Sequence, residues 1–160
     1  MYKVLEVCRH IINYCNEKDY SVSNLKLQKI LYFVQALFVA KTESKEPCFE
    51  EKIEAWDFGP VVPVAYYEYK QFGSADIPKI NSYFEIDLNE KFKLKRVDYV
   101  DDIISLEDKE LIDKMVDRLS DYSTTKLVSI THKQTPWKEA YECGKNTVIT
   151  NESIRRYFNG

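Results

Sequence analysis

Residues 24–41 constrain the fold of this chain more than any other segment. Leu27, Ile30, Leu31, Val34, Leu37 and Phe38 recur at helical spacing and share one face, while Leu25, Tyr32 and Phe33 fall elsewhere around the circumference. Ser23 stands directly in front, where its hydroxyl can accept a hydrogen bond from an orphan N–H two or three residues on. A helix apolar over so much of its circumference has no broad face to give to water, so it should be central to the domain. Its most apolar stretch, Ile30–Ala40, is too short for a membrane span, which takes about 20 residues.

The rest of the chain can build around that helix. Its 160 residues suit one compact domain, 1–160. With 44% hydrophobic residues and 22 aromatics, a sizeable core can form and intrinsic disorder is excluded. Only four glycines argue against Gly-rich phosphate loops and against an all-β protein full of tight turns. A net charge of −3 gives no broad electrostatic reason to bind nucleic acid or an anionic membrane. The opening residues carry Glu6 and Arg9 where a secretory leader would be apolar. Cys8, Cys15, Cys48 and Cys143 contain no CxxC pair and read as reduced, mostly buried thiols of a cytoplasmic protein.

Val4, Cys8, Ile11, Ile12 and Cys15 predict an amphipathic helix over 2–17. Residues 53–58 read as a short strand broken by Gly59-Pro60, and Pro63 suits the first turn of a helix over 63–72. Alternation of Lys91, Lys93 and Lys95 with Phe92 and Leu94 suggests a small hairpin with the apolar pair facing inward. Ser105 caps a helix whose buried stripe is Ile112, Met115, Val116 and Leu119. Ser123 or Thr124 caps a helix ending at His132, Thr135-Pro136 opens another that Gly144 ends, and Asn151 caps a last one through Tyr157. The expected class is mainly α: a compact single-domain helical fold with a minor β-hairpin or short strands.

Chemistry-bearing patterns are sparse. The two histidines, His10 and His132, form no HxxxH pair, so no structural metal is expected. No GxSxG elbow, Walker motif or GxGxxG occurs, and no cofactor is expected. Cys143 and His132 are residue types too common for their spacing to mark a catalytic pair. Asp101-Asp102 and Glu107-Asp108 are explained by a solvated loop and a helix N-terminus. The basic run Lys91–Arg96 reads as the outer face of a strand, so nucleic acid is not an expected partner.

Two corners stand out instead. Trp56-Asp57-Phe58-Gly59-Pro60-Val61-Val62-Pro63 packs two prolines, a glycine and two aromatics into eight residues, which specifies the turn locally. His132 to Trp137 is a second corner, with Pro136 and Trp137 at a helix start. One reading makes both architectural, with Trp56 and Trp137 in the core; the other makes them shape one recognition surface.

Three segments carry a family resemblance. Leu27, Gln28, Lys29 and Tyr32 lie in Asn24-Leu25-Lys26-Leu27-Gln28-Lys29-Ile30-Leu31-Tyr32-Phe33, with Ile30 a mild departure from the family's Leu-Gln-Lys-Leu-Leu-Tyr-Phe pattern. Glu54-Ala55-Trp56 runs into Gly59-Pro60-Val61-Val62-Pro63, followed by Tyr66 and Tyr67. Thr131-His132 precedes Pro136-Trp137-Lys138-Glu139-Ala140. In this order they resemble the Panacea domain of the SocA-like antitoxins, a family that includes phage-associated GepA-type proteins of prophages. The resemblance covers about residues 5–158 and is weakest over 74–104.

The resemblance implies a helical domain acting as the antitoxin half of a toxin–antitoxin pair. Such a domain neutralises its cognate toxin by protein–protein binding, with the toxin encoded by a neighbouring gene, or hands it to a cellular protease. Family members are paired with many unrelated toxins, so the partner does not carry over. The chain is too short to add a further domain. A non-enzymatic binder is expected; the alternative is a small cytosolic hydrolase using His132 with an acidic partner. His132 is expected to tie its helix end to the Pro136-Trp137 corner. Four aromatics in Tyr66, Tyr67, Tyr69 and Phe72 cannot share one helical face, so Asp57 with Tyr66 or Tyr69 is the expected toxin contact. The competing surface is the 74–104 segment.

Overall fold

A computed structural model describes all residues, 1–160. Helix α2, Asn24–Lys41, is the hub. Ser23 Oγ accepts from the Lys26 N–H and fixes its start. Leu27, Leu31, Tyr32, Val34 and Val39 are completely buried. Helix α1, Val4–Glu17, lays Val4, Val7, Cys8, Ile11 and Ile12 into the same core. Because Leu31 has no exposed surface, Leu31→Ala should cost about 2–5 kcal/mol in denaturant unfolding. A loss under about 0.5 kcal/mol would show that α2 is peripheral.

Two β elements follow. Strands β1, Ile53–Trp56, and β2, Gly59–Val61, pair antiparallel, with Trp56 opposite Gly59. Gly59-Pro60 therefore begins a strand rather than only ending one. Pro60 is tolerated because β2 is the edge of the β2-β1-β5 sheet and no ladder donor is needed there. Helix α3 is Pro63–Tyr69, continued by a 3-10 turn, Lys70–Phe72. Strands β3, Ser82–Asp87, and β4, Lys93–Asp98, make the expected hairpin. Its apolar pair does not face inward: Phe92 and Leu94 are exposed, with Phe92 in the turn at φ 60°. Alternation fixes which residues share a face, not which face meets the core.

Helices α4, Leu106–Leu119, α5, Thr124–His132, α6, Thr135–Glu142, and α7, Asn151–Asn159, complete the domain. Ser105 and Ser123 cap α4 and α5 through the N–H groups of Asp108 and Lys126. Two expected caps shift. Thr150, not Asn151, accepts from the Ser153 N–H, because the short strand β5, Thr147–Ile149, delivers Thr150 in extended conformation. Gln134, not Thr135, precedes α6 and makes no capping bond, since its side-chain oxygen is taken by Tyr32. Strand β5 pairs with β1 and went unread in the sequence. Cys8, Cys15 and Cys48 are buried and Cys143 is exposed; burial pushes the Cys15 thiol up to about 11. No helix is long and apolar enough to cross a membrane.

Candidate functional site

The site grows out of the polar residues of α2. Asn24, Gln28, Lys29, Tyr32 and Gln35 recur at helical spacing among apolar neighbours, and all five are buried. A buried polar group without a partner is costly, and each of these reaches outside its own helix or feeds a neighbour that does. Gln28 Oε1 accepts from the Val62 N–H at 2.9 Å, and Gln28 Nε2 donates to Asn24 Oδ1. Asn24 Nδ2 in turn donates to the Tyr66 carbonyl at 3.0 Å. Lys29 Nζ donates to the Pro60 carbonyl at 2.9 Å. Gln35 binds the backbone of Cys48 and Phe49. Tyr32 donates to Gln134 Oε1 at 2.7 Å, in front of the second corner. Leu27 packs in the core beside them.

Burial strips water from the Lys29 ammonium and brings its pKa down to about 7. The same crowding explains Gly59. Its φ is 107°, and an added Cβ would sit 2.8 Å from Thr131 Oγ1 and 2.9 Å from Lys29 Cε.

The two corners meet at the tight turn between β1 and β2. His132 Nε2 donates to the Asp57 carbonyl at 2.9 Å, and Trp137 Nε1 donates to the Trp56 carbonyl at 2.9 Å. A carbonyl can only accept, so His132 carries its proton on Nε2. The ring of His132 stacks on Trp137 at 4.2 Å, and Trp137 on Tyr141 at 4.6 Å. Tyr141 donates to Asp57 Oδ1, and Lys145 lies 3.5 Å from Oδ2. The Tyr141 bond and the Lys145 charge hold the exposed Asp57 carboxyl below its usual range. The expected His132 tie therefore runs to the other corner, and joins the two.

On the far side of the turn, Trp56 meets Tyr66 edge-on at 4.9 Å, and Tyr66 meets Tyr67 at 5.5 Å. Trp56 and Trp137 are half-buried rather than core residues; Pro60 and Pro136 are buried beneath them, and Pro63 opens α3. Phe58 and Tyr67 are 65% and 61% exposed. Trp56, Phe58 and Tyr66 line a groove of about 480 Å³, with Asp57, Lys70 and Lys145 at its polar edges, and Tyr67 stands behind Trp56 and Tyr66.

Of the expected contacts, Asp57 and Tyr66 lie at this groove, but Tyr69 does not. Tyr69 is 6% exposed and belongs to the core, because it follows Ala65 by four residues and shares the buried face of α3 with it. Phe58 and Tyr67 were not singled out from the sequence as contacts; their place beside a Gly-Pro turn and at the polar side of a short helix was the available signal.

His132 faces a main-chain carbonyl and stacks on indole, so no carboxylate is paired with its ring. The histidine with acidic partners is His10, whose Nε2 is 2.7 Å from Asp113 and whose Nδ1 is 3.7 Å from Asp101. Burial pushes the Asp113 carboxyl above its usual range, against the pull of His10. Nowhere do three or more His, Cys, Asp or Glu side chains converge as a metal would require.

The family model described as "Antitoxin SocA-like, Panacea domain" matches residues 27–138, a span from the start of α2 through both corners. Among curated proteins, a 48-residue segment is 46% identical to antitoxin SocA of Caulobacter vibrioides (strain NA1000 / CB15N). That alignment covers 30% of this chain and 24% of the relative, about a quarter of its length. No solved structure matches. Since the matched span takes in well over half of the chain and the Trp56–Pro63 and His132–Trp137 segments, the chain belongs to the SocA-like antitoxin family with the Panacea domain.

Proposed function

We propose that this protein is the non-enzymatic antitoxin of a toxin–antitoxin pair and neutralises its toxin in the cytoplasm by direct binding at the groove between the corners. One observation carries the reading: exposed Phe58 lines a groove, and exposed Tyr67 stands against its Trp56 and Tyr66 walls, on a frame held by main-chain hydrogen bonds. Binding energy concentrates in a few aromatic anchors on preorganised surfaces, surrounded by a polar rim. Asp57, kept ionised, and Lys145 supply that rim, and Tyr66 backs the anchors. The family membership supports the antitoxin role.

The test is co-expression with the product of the neighbouring gene. The protein should restore growth, and Phe58→Ala or Tyr67→Ala should each weaken toxin binding by about 10-fold or more while leaving the melting temperature unchanged. Unchanged affinity across Phe58, Tyr66, Tyr67 and Asp57 variants would move the interface elsewhere. Failure of the wild type to rescue would sink the reading. Toxin abundance separates two routes: it stays constant under masking, and falls if the complex is handed to a cellular protease.

A further inference from the structure

Beyond its base the β3–β4 hairpin stands with both faces in water. Pairing of Glu85 with Lys95 and Asp87 with Lys93 places matched opposite charges on one face. The base of that face is joined to the domain through Tyr83, whose ring lies 3.4 Å below the Arg9 guanidinium. The opposite face carries Phe84 and the directly paired Ile86 and Leu94, and Leu88 and Phe92 stand exposed in the turn beyond the last pair. These five side chains are 59–73% exposed, so nothing in the chain covers them.

We propose that this apolar face is the interface through which two copies of the chain form a symmetric dimer. A lone two-stranded hairpin is marginally stable in water and gains when a second layer covers its apolar side. The five side chains present on the order of 600 Å², the upper end of the largest patch on a typical monomer. Two such faces bring the buried total to about 1,200 Å², where stable interfaces begin. Composition favours a copy over a foreign chain, since homodimer interfaces are the more apolar class. Charge agrees. The face holds one cation and one anion at its base, Arg96 and Asp98, and the turn adds Glu90 and Lys91. A two-fold axis that sets base against turn therefore meets no net like charge.

Sedimentation and light scattering on the isolated protein test this without any toxin. The wild type should run at twice the chain mass of 18.9 kDa at micromolar concentration. Ile86→Thr combined with Leu94→Thr places residues of high strand propensity at both positions and should return it to the single-chain mass with its circular dichroism intact. Hydrogen exchange of the wild type reports independently of that variant: amide protection in β3 and β4 should rise with protein concentration. A wild type that stays monomeric to about 100 µM, a dimer untouched by the double substitution, or protection that does not change with concentration would each overturn the proposal. Loss of binding to a different protein in the Thr variant, with a monomeric wild type, would likewise assign the face to that protein.

Discussion

Gly59→Ala should destabilise the protein by about 3–5 kcal/mol, one of the largest effects expected of any single methyl group in this chain. Two costs add. An L-residue held at φ 107° leaves its favoured regions, which costs about 1–3 kcal/mol. The new Cβ would also press on Thr131 Oγ1 at 2.8 Å and Lys29 Cε at 2.9 Å, and such overpacking costs about 1–3 kcal/mol more. For a domain of this size the melting temperature should fall by roughly 10 °C. Gly73 separates the two costs. It also has positive φ, 57°, with ψ −127°, but open space around it, so Gly73→Ala should carry the backbone cost alone, about 1–3 kcal/mol. Equal losses at the two positions would show that Gly59 is not crowded.

The second large effect is a pH dependence centred on Lys29. In the folded protein burial brings its pKa down to about 7, whereas the unfolded chain returns it to 10.5. Between those values the unfolded state binds more protons, so stability rises with pH across that window and is lost again as pH falls towards 7. The integrated contribution is on the order of 4 kcal/mol. Other groups titrate in the same range, so the informative quantity is a difference. Lys29→Met replaces the amine by an apolar chain of similar length. Its stability relative to wild type should be greater at pH 7 than at pH 10, by about 2–4 kcal/mol. Chemical unfolding of both proteins across the pH series measures it. A constant difference would show that the amine of Lys29 reaches water.

The helices were legible because their signals are local. Ser23, Ser105 and Ser123 stand where caps belong, and the Leu27–Leu31–Val34 face is periodic. The corners were legible as corners, since proline and glycine announce a fixed backbone. Their meeting was not. His132 and Asp57 are 75 residues apart, and the acceptor is a main-chain oxygen. Every residue has such an oxygen, so no sequence pattern marks the one that will be used. Asn24 and Gln35 are illegible for a related reason: in an apolar helix they read as interruptions, yet Asn24 ties α2 to α3 through the Tyr66 carbonyl and Gln35 pins the loop at Phe49. The burial of Tyr69 is not legible because a seven-residue helix leaves its rotation open until packing decides it. Strand β5 is three residues long, too short to display a period of two. The 74–104 segment shows alternation, but nothing in alternation tells solvent from core.

Apart from the Tyr141 bond to the Asp57 carboxylate, the bonds between the two corners end on the carbonyls of Trp56 and Asp57, and Lys29 of α2 holds that of Pro60. A carbonyl is the same whichever side chain its residue bears. Phe58 and Tyr67, at the tips, contribute to none of these bonds. Mutation there alters what the surface says without altering what keeps it standing. Under the proposed function, such a surface can follow a changing toxin through single nucleotide changes, each tested for recognition alone. Scaffold and vocabulary are inherited separately, and one architecture can then be readdressed to unrelated targets.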